Sequence, residues 1–281
     1  MKKLLTLTLA AAMLVVSLVS CSSSESTGVK VIEIPLTEEE YAFGVDKDQP
    51  ELLEATNAFI AKIKEDGTFD EICNNYFGDG EPKAITSATL DESKDQLVVA
   101  TNAGFEPFEY TKGDAYYGID MEIAALLAEE LGKELVINNM DFDAVCLSVG
   151  EHKCDIAIAG LTVKEDRMEY VNFSDSYYSA SQEIIVLESN TAFDNCKTAA
   201  DVEAVLATYT SSTKAGCQNG TTAQFYLEGD ADWGFDGFEI TCTGYNTAAI
   251  AVQDLINGNI DMVVVDSAPA ACIVKAYNET K

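Results

Sequence analysis

The chain has 281 residues, with 48 Asp and Glu against 17 Lys and Arg and a formal net charge of −31. That charge leaves no electrostatic footprint for nucleic acid or anionic lipid, and a hydrophobic content of 47% excludes general disorder. One His and one Arg stand in the whole chain, so chemistry built on several imidazoles is excluded too. At ~100–200 residues per domain, the length allows one large domain or two modest ones.

Lys2 and Lys3 precede an apolar run from Leu4 to Val16, followed by Leu18-Val19-Ser20-Cys21. A charged start, a short apolar stretch and small residues before a cut make a secretory signal over residues 1–20. The run is shorter than the ~20 residues of a membrane span. Residues 21–28, beginning at Cys21, read as a flexible polar tether. Seven further cysteines follow, and an odd number leaves at least one thiol unpaired within the chain. Most lie in apolar runs and read as small core residues. No C-x-x-C occurs and His152 sits in a polar turn, so neither a structural zinc site nor any other metal or cofactor is expected.

Downstream, strand and helix alternate. An apolar run predicts a strand over 97–101. Helical spacing of Ile123, Leu127 and Leu131 predicts a helix over 119–131, stopped by Gly132. The same signals give strands at 134–138, 155–159, 183–187, 214–218, 238–241 and 260–265. Helices are expected at 143–149, 163–169, 198–206, 222–227, 246–256 and 269–277. Alternation at this spacing argues an α/β protein with parallel sheets. A helix–Gly–strand pattern recurs around Gly150 and Gly258, which favours two similar lobes over one sheet. Residues 78–95 form a linker rich in Gly, Pro, Ser, Thr and charge.

In open α/β sheets, ligands sit beyond the C-terminal ends of strands. Strand 155–159 runs into Gly160-Leu-Thr-Val-Lys-Glu-Asp-Arg167. Thr162 and Glu165 have capping-box spacing, which places a helix start there with Arg167 one turn inside. Gly160 leaves the backbone open to close approach, and Arg is suited to bidentate capture of a carboxylate. The alternative for Arg167 is a pairing with Glu165, Asp166 or a distant acid. On the other half, Gln218-Asn-Gly-Thr221 enters a helix and is able to donate N–H groups. Asp266 ends an apolar strand and reads either as an acceptor for an ammonium group or as the cap of the next helix. Phe105 and Phe142 lie after strands, as platforms for a ligand side chain or as core residues.

These motifs occur in a telling order. Ala100-Thr-Asn-Ala-Gly-Phe-Glu-Pro-Phe-Glu-Tyr110, Gly118-Ile-Asp-Met-Glu-Ile123, Met140-Asp-Phe-Asp143 and the Gly160–Arg167 run come first. Asn172-Phe-Ser-Asp-Ser-Tyr-Tyr178, Lys214-Ala-Gly-Cys-Gln-Asn-Gly-Thr221 and Asn257-Gly-Asn-Ile-Asp-Met-Val-Val-Val-Asp266 follow. Together they resemble the amino-acid-binding solute-binding proteins of bacterial ABC importers (family 3), over nearly the whole mature chain. The resemblance implies a type II periplasmic-binding-protein fold, with two α/β lobes, two hinge strands and a ligand cleft between them. It also implies a departure, because the family's usual closing piece stands first here, at residues 28–78. The chain thus resembles a circular permutant, with 78–95 joining the usual termini. Lobe 1 is then expected at 41–183, and lobe 2 at 29–36 plus 188–281, with crossings near 36–40 and 181–187.

By the same resemblance, Arg167 would fork the α-carboxylate of a free amino acid, helped by Thr162 and Thr221. Asp266 and the Gly160 carbonyl would hold its ammonium. Phe105 and Phe142 would sandwich the side chain, while Asn102 and Gln218 would read its end. An Asp often stands where Asn102 does; the neutral residue points to a neutral polar ligand such as glutamine, with Asp143 and Asp114 left to serve a cation. Leu18–Cys21 resembles a lipobox, implying a lipoprotein tethered through Cys21 to the outer face of the cytoplasmic membrane, monomeric, with importer permease subunits as partners. Two other classes stand beside this reading. One is a dehydratase-like enzyme on the same fold, though no nucleophile–base pair appears. The other is a ligand-sensing module, against which the absence of a downstream membrane segment argues.

Overall fold

The computed structural model describes residues 28–280. The expected signal peptide, the lipidation residue Cys21 and most of the tether lie outside the described residues.

The chain opens with β1 (Val29–Ile32), β2 (Glu39–Tyr41) and β3 (Gly44–Asp46), then α1 (Pro50–Glu65) and α2 (Thr68–Phe77). After residues 78–95 come β4 (Gln96–Thr101), a three-stranded flap of β5 (Gly104–Phe105), β6 (Glu109–Lys112) and β7 (Ala115–Tyr117), then α3 (Ile119–Glu130), β8 (Glu134–Asn139), α4 (Phe142–Gly150) and β9 (Ile156–Ala157). A short 3-10 turn (Arg167–Glu169) leads into β10 (Val171–Phe173), β11 (Tyr178–Ala180) and β12 (Gln182–Leu187). The remainder is α5 (Ala199–Leu206), β13 (Lys214–Gln218), α6 (Thr222–Glu228), β14 (Thr241–Tyr245), α7 (Ala248–Ile256), β15 (Met262–Asp266) and α8 (Ser267–Glu279).

Two five-stranded sheets share one plan, in the orders β8-β4-β9-β3-β10 and β14-β13-β15-β12-β1. In each, three strands run parallel, the fourth is antiparallel to both neighbours, and the fifth is parallel to the first three. The antiparallel strand of each sheet enters directly from a crossing. β2 feeds β3 and β11 feeds β12, and these two feeders pair with each other, Tyr41 opposite Tyr178 and Glu39 opposite Ala180. The whole of β12 lies in the second sheet, so the chain enters that sheet directly after Ser181, at the start of the crossing expected near 181–187.

The residues before 78 are divided between the lobes. β1 forms the outer strand of the second sheet; β3, α1 and α2 belong to the first. Residues 78–95 are docked along the first sheet. The Ala88 N–H donates to the Leu135 carbonyl at 2.8 Å and Ser87 Oγ accepts from the Ile137 N–H at 2.8 Å, both on the outer strand β8. An otherwise open edge is thereby covered.

Both sheets are buried on both faces, which is why β15 reads as an unbroken run, Met262-Val-Val-Val265. α7 buries Ala248, Ala251, Val252 and Leu255 at helical spacing, and Thr247 caps its start by accepting from the Ile250 N–H. Each fully buried Leu or Val adds about 1.5–3 kcal/mol, and such stripes hold the helices on the sheets.

Three expectations need correction. No α-helix starts at Thr162 (residues 163–169). The Thr162 hydroxyl donates to Glu39 Oε2 at 2.8 Å and its backbone bridges Tyr41, so it cannot cap; only the 3-10 turn forms, with Asp166 accepting from the Arg167 N–H. The strand expected at 238–241 lies at Thr241–Tyr245. Phe238 and Ile240 turn into the lobe core instead, with Phe238 against the Tyr226 ring at 5.4 Å. Strand 155–159 is cut to Ile156–Ala157, because Gly160, at φ +53°, turns the chain into the cleft.

Candidate ligand-binding site

The nine residues singled out in sequence, Asn102, Phe105, Phe142, Gly160, Thr162, Arg167, Gln218, Thr221 and Asp266, line one cavity between the lobes, together with Glu109 and Thr222. The free space they enclose is about 10 Å³, room for roughly one water, so the lobes stand closed on the site. Asp143 and Asp114 are not among its lining residues.

One end is built around Arg167, which the 3-10 turn presents and which is buried. Its Nη1 donates to the Thr162 carbonyl at 2.8 Å and its Nη2 to the Gly220 carbonyl, in the second lobe, at 3.0 Å. The Phe142 ring lies 5.2 Å from the guanidinium carbon. No carboxylate pairs with Arg167 among the described residues, so the structure does not realise the acid-pair alternative. Of five N–H donors, three remain for a ligand. Nearby, the Thr222 hydroxyl faces Thr162 across the cleft at 3.4 Å, and Thr221 Oγ1 donates to the Gln218 carbonyl at 2.8 Å.

The other end is acidic. Asp266 precedes α8 but makes no side-chain cap; its Oδ1 accepts from the Tyr41 hydroxyl at 2.5 Å. Burial, and then the Glu39 carboxylate, raise its pKa to about 7. Glu39 is itself occupied, accepting from Thr37, Thr162 and Gln182. Asp120 accepts from the Gly160 N–H and from the Tyr177 hydroxyl, and burial lifts its pKa to about 6. Gly160 is required where it stands: a Cβ there would meet the Phe105 ring at 3.0 Å at a positive φ.

Glu109 is the residue that sequence reasoning missed. It is 1% exposed and neither carboxyl oxygen accepts from an N–H or hydroxyl donor; its partner is the Asp120 carboxyl, and burial followed by that neighbour holds Glu109 well above the usual carboxylate range. The signal was available, since Glu109 stands opposite Phe105 in the β5–β6 hairpin and hence on the same face.

Asn102 and Gln218 close the cavity between them. Gln218 Nε2 donates to Asn102 Oδ1 at 2.9 Å, and Asn102 Nδ2 donates to the Met140 carbonyl at 2.6 Å. This bond also joins the lobes, and a further interlobe contact lies outside the cavity. Lys164, buried, reaches Asp230 at 3.1 Å and stands over the rings of Phe225 (3.2 Å) and Trp233 (5.4 Å). Away from the cleft, Asp46, Asp48 and His152 meet at the surface, where the His152 imidazole is paired with Asp46 at 2.7 Å.

Two like-built α/β lobes, with a polar cavity gripped between them, define a two-lobed binding protein of the periplasmic type. Residues 97–233 match the family of bacterial extracellular solute-binding proteins, family 3, and the chain belongs to that family. It is 28% identical over 173 residues to an arginine-binding periplasmic protein of Mannheimia haemolytica, covering 61% of this chain and 63% of that one. Among solved structures, a point mutant of arginine-bound ArgBP from T. maritima is 31% identical, with a TM-score of 0.55 over 66% of this chain and 79% of that one. An ancestral arginine-binding protein bound to glutamine is 30% identical, with a TM-score of 0.54 over 65% and 74%. The chain spans less than two thirds of the length of the curated arginine-binding relatives it matches.

Proposed function

We propose that this protein captures a free amino acid as its zwitterion between the lobes and delivers it to the membrane subunits of an ABC importer. One observation carries the reading: Arg167, with three donors to spare and no carboxylate partner, and Asp266 line one buried cavity. Buried charges must be paired, so a ligand lacking either charge is rejected. Phe105 and Phe142 then flank the side chain, and Thr162, Thr221, Gly160, Asn102 and Gln218 complete the contacts. The protein acts outside the cytoplasmic membrane as a monomer, held there by lipid on Cys21 after removal of residues 1–20.

The preferred ligand in this reading is a neutral polar amino acid such as glutamine, because Asn102 and Gln218 meet as an uncharged pair. Arginine is the competing ligand. Relatives carry arginine-binding names, and Glu109 brings a second acid to the cavity. A thermal-shift screen of the free L-amino acids, followed by calorimetry on the best hits, decides. Stabilisation by one amino acid at 1:1 supports the proposal, and no stabilisation by any of them overturns it.

We further propose that the chain is circularly permuted: lobe 1 runs from Tyr41 to Ser181, and lobe 2 joins residues 29–36 to 182–281. Two observations support this. The segment before residue 78 supplies strands to both sheets, and the family match begins only at Leu97. Moving residues 28–78 to follow residue 281, through a short linker, should give a folded protein of equal ligand affinity.

A further inference from the structure

β13 ends in Cys217-Gln218, and β14, beside it on the outer edge of the second sheet, carries Cys242. In their parallel register Cys217 stands opposite Gly244, and Cys242 opposite Ala215. Period-two alternation therefore puts both cysteines on one face of the sheet, diagonal to each other. The residues directly opposite them are small, so the two side chains lean together and their sulfurs meet at 3.3 Å. A disulfide needs about 2.05 Å, so a further approach of little more than ~1 Å separates contact from bond. The alternative is a pair of core thiols that merely share a hydrogen bond.

The segment between them, residues 218–241, carries the second lobe's hold on the first. Gln218 bonds to Asn102, the Gly220 carbonyl accepts from Arg167, Thr222 faces Thr162, and Phe225 and Asp230 meet Lys164. One pair of sulfurs thus stands at both ends of that segment. We infer that Cys217 and Cys242 are a dithiol site that oxidises to an intrachain disulfide and closes the base of this segment. The setting outside the cytoplasmic membrane, taken from the reading above, is one in which disulfides persist. The chemistry itself needs only a low-molecular-weight disulfide.

Cys242 reacts first, because it is only partly buried and lies on the edge strand. Cys217 is fully buried, and its hydrogen bond with Cys242, then burial, hold its thiol well above the usual range. The Cys242 sulfur loses its proton and attacks one sulfur of the external disulfide, releasing a thiolate that takes that proton up. Cys217 then attacks the Cys242 sulfur of the mixed disulfide, and its proton leaves with the second thiol. Two protein thiols are oxidised to one disulfide, and the external disulfide is reduced to two thiols. The cysteines lie 25 positions apart, so the bond restricts a sizeable loop of the unfolded chain.

The test treats wild type, Cys217→Ala and Cys242→Ala with oxidised glutathione. Each is treated once as the native protein and once during refolding from urea, so that access to the buried sulfur does not limit the result. Non-reducing peptide mapping should link Cys217 to Cys242 in wild type, with the other five described cysteines still free. The oxidised wild type should melt about 5–10 °C higher than after reduction with dithiothreitol. Neither variant should show that difference. Should an alanine variant not fold, Cys242→Ser breaks the same pair and keeps the side-chain size at the partly buried position. Seven free thiols among the described cysteines after both treatments overturn the inference, as does a link from either cysteine to another partner. An oxidised wild type no more stable than the reduced one also overturns it. Ligand binding is not read in this experiment, so its failure leaves the amino-acid reading untouched.

Discussion

At the Arg167 end of the cleft the charged group is held before any ligand arrives. Carbonyls from both lobes accept two of its N–H donors, and a ring lies against it. On the acidic side of the cavity, Glu39, Glu109, Asp120 and Asp266 are all buried, and none of them is in an ion pair among the described residues. The first is preorganised; the second is short of positive charge, and burial raises Asp266 to about 7 and Asp120 to about 6. In the proposed function, one ligand would then be held by two physical routes, rigid donation from Arg167 and charge compensation among the acids.

Breaking the rigid end should have the largest effect. Arg167→Ala removes the guanidinium that bridges the lobes and, in the proposed function, pairs with the ligand carboxylate, with an expected cost of about 3–5 kcal/mol, or loss of detectable binding by calorimetry. Arg167→Lys should recover little of it, because a point charge cannot replace a fork bonded to two carbonyls.

Next is the acidic end, where pH sharpens the contrast. Asp266→Asn should cost about 2–3 kcal/mol in amino-acid affinity. In the empty protein Asp266 and Asp120 titrate near pH 7 and pH 6, above their unfolded values. Between those values the folded state binds more protons than the unfolded one, so stability falls as pH rises from about 4 to 7. The ligand's ammonium reverses the sign at Asp266, so ligand-induced stabilisation should grow over the upper part of this range and flatten in Asp266→Asn. Thermal melts with and without ligand at several pH values read this directly.

How much of this was legible in the sequence follows the same divide. Arg167 stood out because it is the only guanidinium among 48 acids, and the strand over 214–218 was bounded as observed because turn residues flank it, Thr210-Ser-Ser-Thr213 before and Asn219-Gly220 after. The acidic end was less legible for the converse reason, since one Glu in so acidic a chain carries no contrast, and Glu109 is significant only through hairpin pairing. The capping-box spacing at Thr162 misled because its hydroxyl is claimed by Glu39, 123 positions away. A local pattern loses there to a tertiary bond that local spacing does not encode. The short strands β2, β10 and β11 were invisible for a related reason: three residues hold no period, and only the crossing between lobes makes them strands.

A contact outside both ends provides the control. Lys164→Met removes an interlobe cation that touches no ligand, so it should weaken every ligand by the same factor. Its aromatic and acidic partners in the second lobe suggest about 1 kcal/mol, appearing in the dissociation rate. The only Trp of the chain, Trp233, lies within 5.4 Å of this ammonium, so its emission reports lobe closure in the same titration.

An effect of similar size is expected at Asn102, and it isolates side-chain recognition. In Asn102→Asp the new carboxylate still accepts from Gln218 Nε2, but the donor to the Met140 carbonyl is lost and two acceptors face each other at 2.6 Å. That conflict should cost under about 1.5 kcal/mol for a neutral ligand, since the side chain can turn away from the carbonyl. For a cationic ligand the added charge offsets the loss. Arginine and its uncharged isostere citrulline make the comparison, and their affinity ratio should shift towards arginine by about tenfold or less. An unchanged ratio would place the end of the ligand side chain away from Asn102, leaving Gln218 to read it alone.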